Sequence, residues 1–233
     1  MTTRPNIRQI DLASTSLRDL NAALQGAAEG SDDAWTIVNP RGRHAIAVGM
    51  TNPVEVTIAG HAGYYAAGMN QRAIVTIDGN AGPGVAENMM SGRVHVKGNA
   101  SMAAGATGHG GLLVIDGDAG ARCGISMKGI DIVVRGSVGH MSGFMAQSGN
   151  LVVCGDAGEA LGDSLYEARV FVRGTVKSLG ADCEKKEMTV ADRDLLQSLL
   201  ERAGMSDVPV GAFTLYGSAR RLYHFHVDNA SAY

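Results

Sequence analysis

Residues 112–136 read LLVIDGDAGARCGISMKGIDIVVRG. The phrase apolar–x–apolar–x–Gly occurs in it twice, at Leu113, Ile115 and Gly117 and again nineteen residues on at Ile132, Val134 and Gly136. Outward in both directions the spacing holds without a slip: Gly60, Gly79, Gly98, Gly117, Gly136, Gly155 and Gly174. Two residues before each glycine stands a β-branched residue, from Ile58 to Val172, and four before it a Val, Leu or Ile. That alternation belongs to a half-buried β-strand. The residue after each glycine is polar (His61, Asn80, Asn99, Asp118, Ser137, Asp156, Thr175), and the one seven after it is never larger than alanine. At that small position stand Gly105, Gly124, Gly143 and Gly162. A fixed period of roughly 20 to 50 residues marks a solenoid.

Nineteen residues leave no room for a helix pair. The unit reads as one coil of a parallel β-helix, and stacking at ~4.8 Å per coil makes a rod about 34 Å long. The fold class is an all-β solenoid of about seven coils with short N- and C-terminal helices. The polar residue after each glycine is expected to hydrogen-bond its own backbone, as Asn, Asp and Ser do in turns. Gly63, Gly82, Gly120, Gly139 and Gly158 are expected where backbone needs positive φ or close approach. The third inward column, from Ala62 to Val176, is small, and the repeat frays at Lys177, which replaces a corner glycine.

Composition bounds the remainder. Glycine supplies 32 of 233 residues, about twice the usual ~7 per cent, and the excess is periodic. A net charge of −3 with both signs intermixed argues against nucleic acid or an anionic membrane as a partner. No apolar run approaches the ~18 residues of a spanning helix, and no signal-peptide core is visible at the N-terminus. Three widely spaced cysteines fit a reducing cytoplasm.

Three segments are expected: an arm and capping helix over 1–43, the β-helix over 44–186, and a helix with an interaction tail over 187–233. Ser16, with Asp19 three residues on, caps a first helix carrying Leu17, Leu20 and Leu24. That segment is read to end near Gly30–Ser31. Trp35–Asn39 and His44–Val48 read as two short strands joined by Pro40–Gly42. Thr189, with Asp192, caps a second helix that Gly204 follows, with Val190, Leu195, Leu196, Leu199 and Leu200 as its apolar face. Three before each glycine the side chain should point outward. That column begins Thr57, Thr76, His95 and continues Val114, Val133, Val152, Phe171. Its apolar half needs a cover, and the second helix is the nearest. The tail from Phe213 is then expected to emerge beside that face.

Residues 98–140, GNASMAAGATGHGGLLVIDGDAGARCGISMKGIDIVVRGSVGH, resemble the GXGXG domain at the C-terminal end of the large subunit of glutamate synthase. The likeness covers roughly residues 44–180. Similar coils form a subunit of formylmethanofuran dehydrogenase, and the C-terminal helix with LYGSARRLYHF resembles the free-standing form in N-methylglutamate synthase. The resemblance implies a right-handed β-helix without catalytic residues, joining active partners. These are a class II glutamine amidotransferase-like chain and an FMN-binding glutamate synthase-like chain. FMN, and any iron–sulfur cluster, belong on a partner.

Read residue by residue, the chain offers little chemistry. Cys123, Cys154 and Cys183 fall at three phases of the repeat, and no CxxC pair exists, against a stacked zinc or iron–sulfur site. The amidotransferase nucleophile would follow the initiator, where Thr2 stands. His44, His61, His95, His109 and His140 also differ in phase and read as solvated or turn residues. No GxxxxGK[ST] loop occurs, and the periodic glycines are structural. No catalytic, cofactor or metal residue is expected. Arg220, Arg221, Tyr223, His224, Phe225 and His226 are expected to contact a partner. Three functions compete: a structural subunit of an N-methylglutamate synthase-like complex, which makes N-methylglutamate and ammonia from methylamine and glutamate; the equivalent formylmethanofuran dehydrogenase subunit; or an independent binding β-helix. The last expects an aromatic groove, and only 5 per cent of the chain is aromatic.

Overall fold

The computed structural model describes residues 6–28 and 33–220. The coils stack as expected. β3 (Glu55–Ile58), β4 (Ile74–Ile77), β5 (Arg93–Val96), β6 (Leu112–Ile115), β7 (Lys128–Val134), β8 (Ser148–Val153) and β9 (Arg169–Val172) pair parallel in chain order. Their register joins residues nineteen apart, as in Val56↔Val75, Val75↔Val94 and Val94↔Leu113. The glycines Gly60 to Gly174 number the coils one to seven. A second, narrow ladder runs through Ala62, Ala81, Ala100, Ala119, Val138, Ala157 and Val176. The small side chains let the two ladders converge, and the inward columns make one core along the rod. Each fully buried Val, Leu or Ile there contributes about 1.5–3 kcal/mol.

The turn that closes each coil runs from four to nine residues after the glycine, and its backbone alternates between right- and left-handed conformations. In coil four Arg122, Gly124 and Ser126 all have positive φ, and the equivalent residues do so in coils one to six. This alternation sends successive N–H groups to opposite neighbours. Arg122 N–H donates to His140 O in the next coil, Gly124 N–H to Ala104 O in the previous one, and Ser126 N–H to Phe144 O in the next. Left-handed backbone costs an L-residue roughly 1–2 kcal/mol, and these inter-coil bonds offset it. The small residue at plus seven is therefore explained: its conformation is left-handed and its side chain points inward.

The stack begins earlier than the sequence suggested. β1 (Asn6–Asp11) pairs parallel with β2 (Asp33–Val38), and β2 pairs with β3 through Trp35↔Val56 and Ile37↔Ile58. Residues 6–11, expected as part of an arm, thus form a strand of the stack. The strand expected at His44–Val48 is instead a turn, with Ala45 and Ala47 in left-handed backbone. It is an imperfect forerunner of the coil turns, bonded to them through Ala45 N–H to Tyr64 O and Gly49 N–H to Gly68 O. Helix α1 (Leu17–Gln25) has Ser16 as its N-cap and buries Leu20 and Leu24 over the open end of the core. The helix closes at Gln25 with Gly26 as its C-cap, before the expected end of the segment near Gly30–Ser31, which lies outside the described residues.

Helix α2 (Val190–Arg202) begins with a complete capping box between Thr189 and Asp192. Leu196, Leu199 and Leu200 pack on Val114, Val133, Val152 and Phe171 in a second core, and all seven are fully buried. The apolar outer strip of coils four to seven is therefore covered by this helix. Ion pairs Arg169–Asp192 at 3.2 Å and Arg202–Asp131 at 3.1 Å fix its two ends. Val190 does not join the apolar face: it is 75% exposed, standing in the first turn before the helix meets the sheet.

The tail is also corrected. After a short 3-10 turn (Val210–Ala212), β11 (Thr214–Ser218) inserts antiparallel between β9 and β10 (Cys183–Lys186). Phe213 and Leu215 belong to the second core. β11 satisfies the edge of the last coil, where no eighth repeat exists to do so.

Candidate interaction surfaces

The corner after each strand carries a ladder that determines the glycine column. The backbone N–H of each polar residue donates to the side chain of its equivalent one coil earlier: Asn80 to His61 Nδ1, Asn99 to Asn80 Oδ1, Asp118 to Asn99 Oδ1, Ser137 to Asp118 Oδ1, Asp156 to Ser137 Oγ, and Thr175 to Asp156 Oδ1. The distances run from 2.7 to 3.0 Å. The expected bond to the residue's own backbone is not the one made. Because each acceptor leans over the next coil's glycine, a Cβ there would stand 2.7 Å from His61 Nδ1 at Gly79 and 2.6 Å from Ser137 Oγ at Gly155. From Gly79 to Gly174 close approach, not positive φ, requires glycine, whereas Gly60, ahead of the ladder, has a φ of +137°. Thr175 backbone N–H and hydroxyl bonds hold the Asp156 carboxyl below the usual carboxylate range.

The cysteines are spread over the fold. Cys123 lies inside the coil, where burial pushes its thiol up to about 12. Cys154 sits beneath the α2 cap, raised by burial against the opposing charges of Arg173 and Arg135. Cys183 opens β10, pushed up to about 11 by burial with Glu184 and Asp163 adding. All three are free, buried thiols and poorly ionised at neutral pH. Among the described residues no group of three His, Cys, Asp or Glu side chains converges to hold a metal.

The histidines take separate roles. His61 heads the corner ladder, and His44 Nδ1 accepts the Tyr64 backbone N–H at 3.1 Å while its ring meets that of Tyr64. His95 pairs with Asp116 at 2.9 Å on the open sheet face. Of the six tail residues, Arg220 is described and its guanidinium pairs with Asp182 at the last turn. Arg221, Tyr223, His224, Phe225 and His226 lie outside the described residues.

Two surfaces remain uncovered within the described chain. The first is the outer sheet face of coils one to three, where Thr57, Thr76 and His95 are half-buried and α2 reaches only the edge of coil three, its Arg202 carbonyl accepting from the Arg93 guanidinium. The second is the turn face, where a groove of about 430 Å³ runs between His44, Tyr64, Pro83, Glu87 and Met102. Reading the inward columns alone misses this face. The signal was available in the outward turn positions, where Tyr64 and Met102 share one column and Met69 and Met145 another.

No known family profile matches the chain. Over 225 residues it is 62% identical to Protein GlxC of Rhizobium meliloti (strain 1021), across 96% of this chain and 99% of that one. It belongs to the GlxC family. The likeness extends over nearly the whole length of both chains and is not confined to the repeat. No helix among the described residues is long and apolar enough to cross a membrane.

Proposed function

We propose that this chain is a structural subunit of a glutamate-synthase-like complex of the N-methylglutamate synthase kind. It joins an amidotransferase-like chain to an FMN-binding synthase chain. The observation that carries the reading is the unequal cover of the rod. Helix α2 seals the outer sheet face of coils four to seven, whereas coils one to three present an ordered, half-buried row of Thr57, Thr76 and His95. A rigid polar strip of this kind suits a partner's surface. The thiols are buried, which fits a chain that positions chemistry carried out on its partners. The likeness of residues 98–140 to the glutamate synthase domain supplies the partner classes. Arg220, Arg221, Tyr223, His224, Phe225 and His226 are assigned a second contact with a partner, and the complex is assigned to the cytoplasm.

Affinity purification of the tagged full chain from its native host tests the reading. An amidotransferase-like and an FMN-containing chain should co-purify, and the isolated subunit should be colourless and inactive on glutamine, glutamate and methylamine. Recovery of pterin–metal and ferredoxin-type chains would move it to a formylmethanofuran dehydrogenase-like complex. Stoichiometric flavin on the isolated chain would overturn the structural role.

A further inference from the structure

The turn face carries four of the ten large apolar side chains that stand exposed among the described residues. Tyr64, Met69, Met102 and Met145 are all exposed on it, with Tyr64 at 52% and Met102 at 47%. The outward turn positions are the fourth, fifth, eighth and ninth after each corner glycine. Through coils one to five they hold two formal charges at neutral pH, Glu87 in coil two and Arg122 in coil four. In coil six Glu159 and Asp163 end this sparsely charged stretch. A face so sparing of charge, with Tyr64 and three methionines exposed on it, has the character of a contact surface.

The two charges have opposite sign and stand one coil to either side of coil three. They also share a column. Arg122 is the fifth residue after its glycine, and in coil two that place belongs to Gly84. Glu87 fills it: its Oε2 lies 2.6 Å from where a Gly84 Cβ would stand. Neither side chain has an ion-pair partner among the described residues. The face is thus complementary to itself when reversed end for end.

We propose that this face is a self-association surface on which two copies of the chain pack antiparallel. The two-fold axis lies in the contact plane and crosses coil three. About that axis coil one meets coil five and coil two meets coil four, as a closed isologous contact requires. Arg122 of each copy meets Glu87 of the other, giving two symmetric ion pairs. Met102 meets its own equivalent at the axis, Met69 meets Met145, and the groove beside Tyr64 receives His140 of the second copy. An axis through any other coil leaves Glu87 and Arg122 unmatched. Methionine supplies adaptable apolar contact, and the charge pair sets the register. The surface is the turn face, not the sheet face assigned to the synthase partners, so either assignment can fail without the other.

Sedimentation velocity on the full chain at up to about 100 µM, enough to assemble a weak interface, should show a dimer. Glu87→Arg and Arg122→Glu should each weaken it about tenfold or more, and the double reversal should restore it, because the coupling is pairwise. Met102→Cys, oxidised with diamide, should give a covalent dimer in folded protein, since the native thiols are buried. A chain that stays monomeric overturns the proposal. So does a dimer indifferent to both reversals, a double reversal no tighter than the singles, or a face whose methionines gain protection from oxidation only when a different protein is added.

Discussion

Asn99 Oδ1 accepts the backbone N–H of Asp118 at 2.8 Å, across the join between coils three and four. The same oxygen occupies the space that a Cβ on Gly117 would need. One contact thus explains two columns of the repeat, the polar residue after each corner and the glycine at it. Gly117→Ala must displace Asn99 and press on Gly98 O, so a loss of more than about 2 kcal/mol is expected, in the range of overpacking costs. Asn99→Ala removes only the acceptor and should cost nearer 1 kcal/mol. Equal costs in urea denaturation would show that the corner glycine is not excluded by the ladder.

Gly143 tests the turn column separately. Its φ is +71° and an added Cβ would meet nothing closer than Val170 Cγ2 at 3.6 Å. Ala67 and Ala86 already occupy the same place in coils one and two with positive φ. Gly143→Ala should therefore cost about 1 kcal/mol, the strain of left-handed backbone alone. Gly143→Val adds a β-branched side chain in that conformation and should cost more than about 2 kcal/mol. A valine variant melting within a degree of the wild type would sink the assignment.

The C-terminus divides at β11. Removing residues 221–233 should leave the thermal transition of the described fold in place. Removing 213–233 also takes away Phe213, Leu215 and the strand that pairs with β9, and losing even one large buried side chain costs several kcal/mol. The longer deletion should lower the melting temperature sharply and expose a dye-binding apolar surface. Equal melting of the two truncations would contradict the role of β11 as the end seal.

Asp156 carries a pH dependence of known sign. Its carboxyl is held below the usual range in the folded chain, whereas the unfolded chain has the ordinary value of about 3.9. The stabilisation it brings is present above that value and disappears as pH falls through the lowered folded one. Asp156→Asn keeps the Oδ1 acceptor for Thr175 but cannot ionise. Urea midpoints should favour the wild type above about pH 5, with the gap closing as the carboxyl protonates. A gap that does not change with pH would mean that the charge contributes nothing to the ladder.

Much of this architecture was open to a reader of the sequence, because alternation within one strand is local. Val56 and Ile58 face inward and Thr57 outward for reasons that involve only neighbouring residues. Seven in-register copies then placed Val114, Val133, Val152 and Phe171 in a bare outer column and implied a cover, which α2 supplies. Tertiary structure alone decided what passes between coils. The corner oxygens bond the next coil's backbone rather than their own, and the turns run left-handed at residues as large as Arg122 and Met141, because the bonds that repay this strain join residues about nineteen apart. It also decided both ends. Where the repeat stops there is no equivalent residue to compare, so the parallel pairing of β1 with β2 and the antiparallel insertion of β11 depended on which strand could satisfy an open sheet edge. The turn face belongs to the same class: Glu87 reaches the column of Arg122 only because Gly84 leaves it empty, a fact of packing that spacing cannot express.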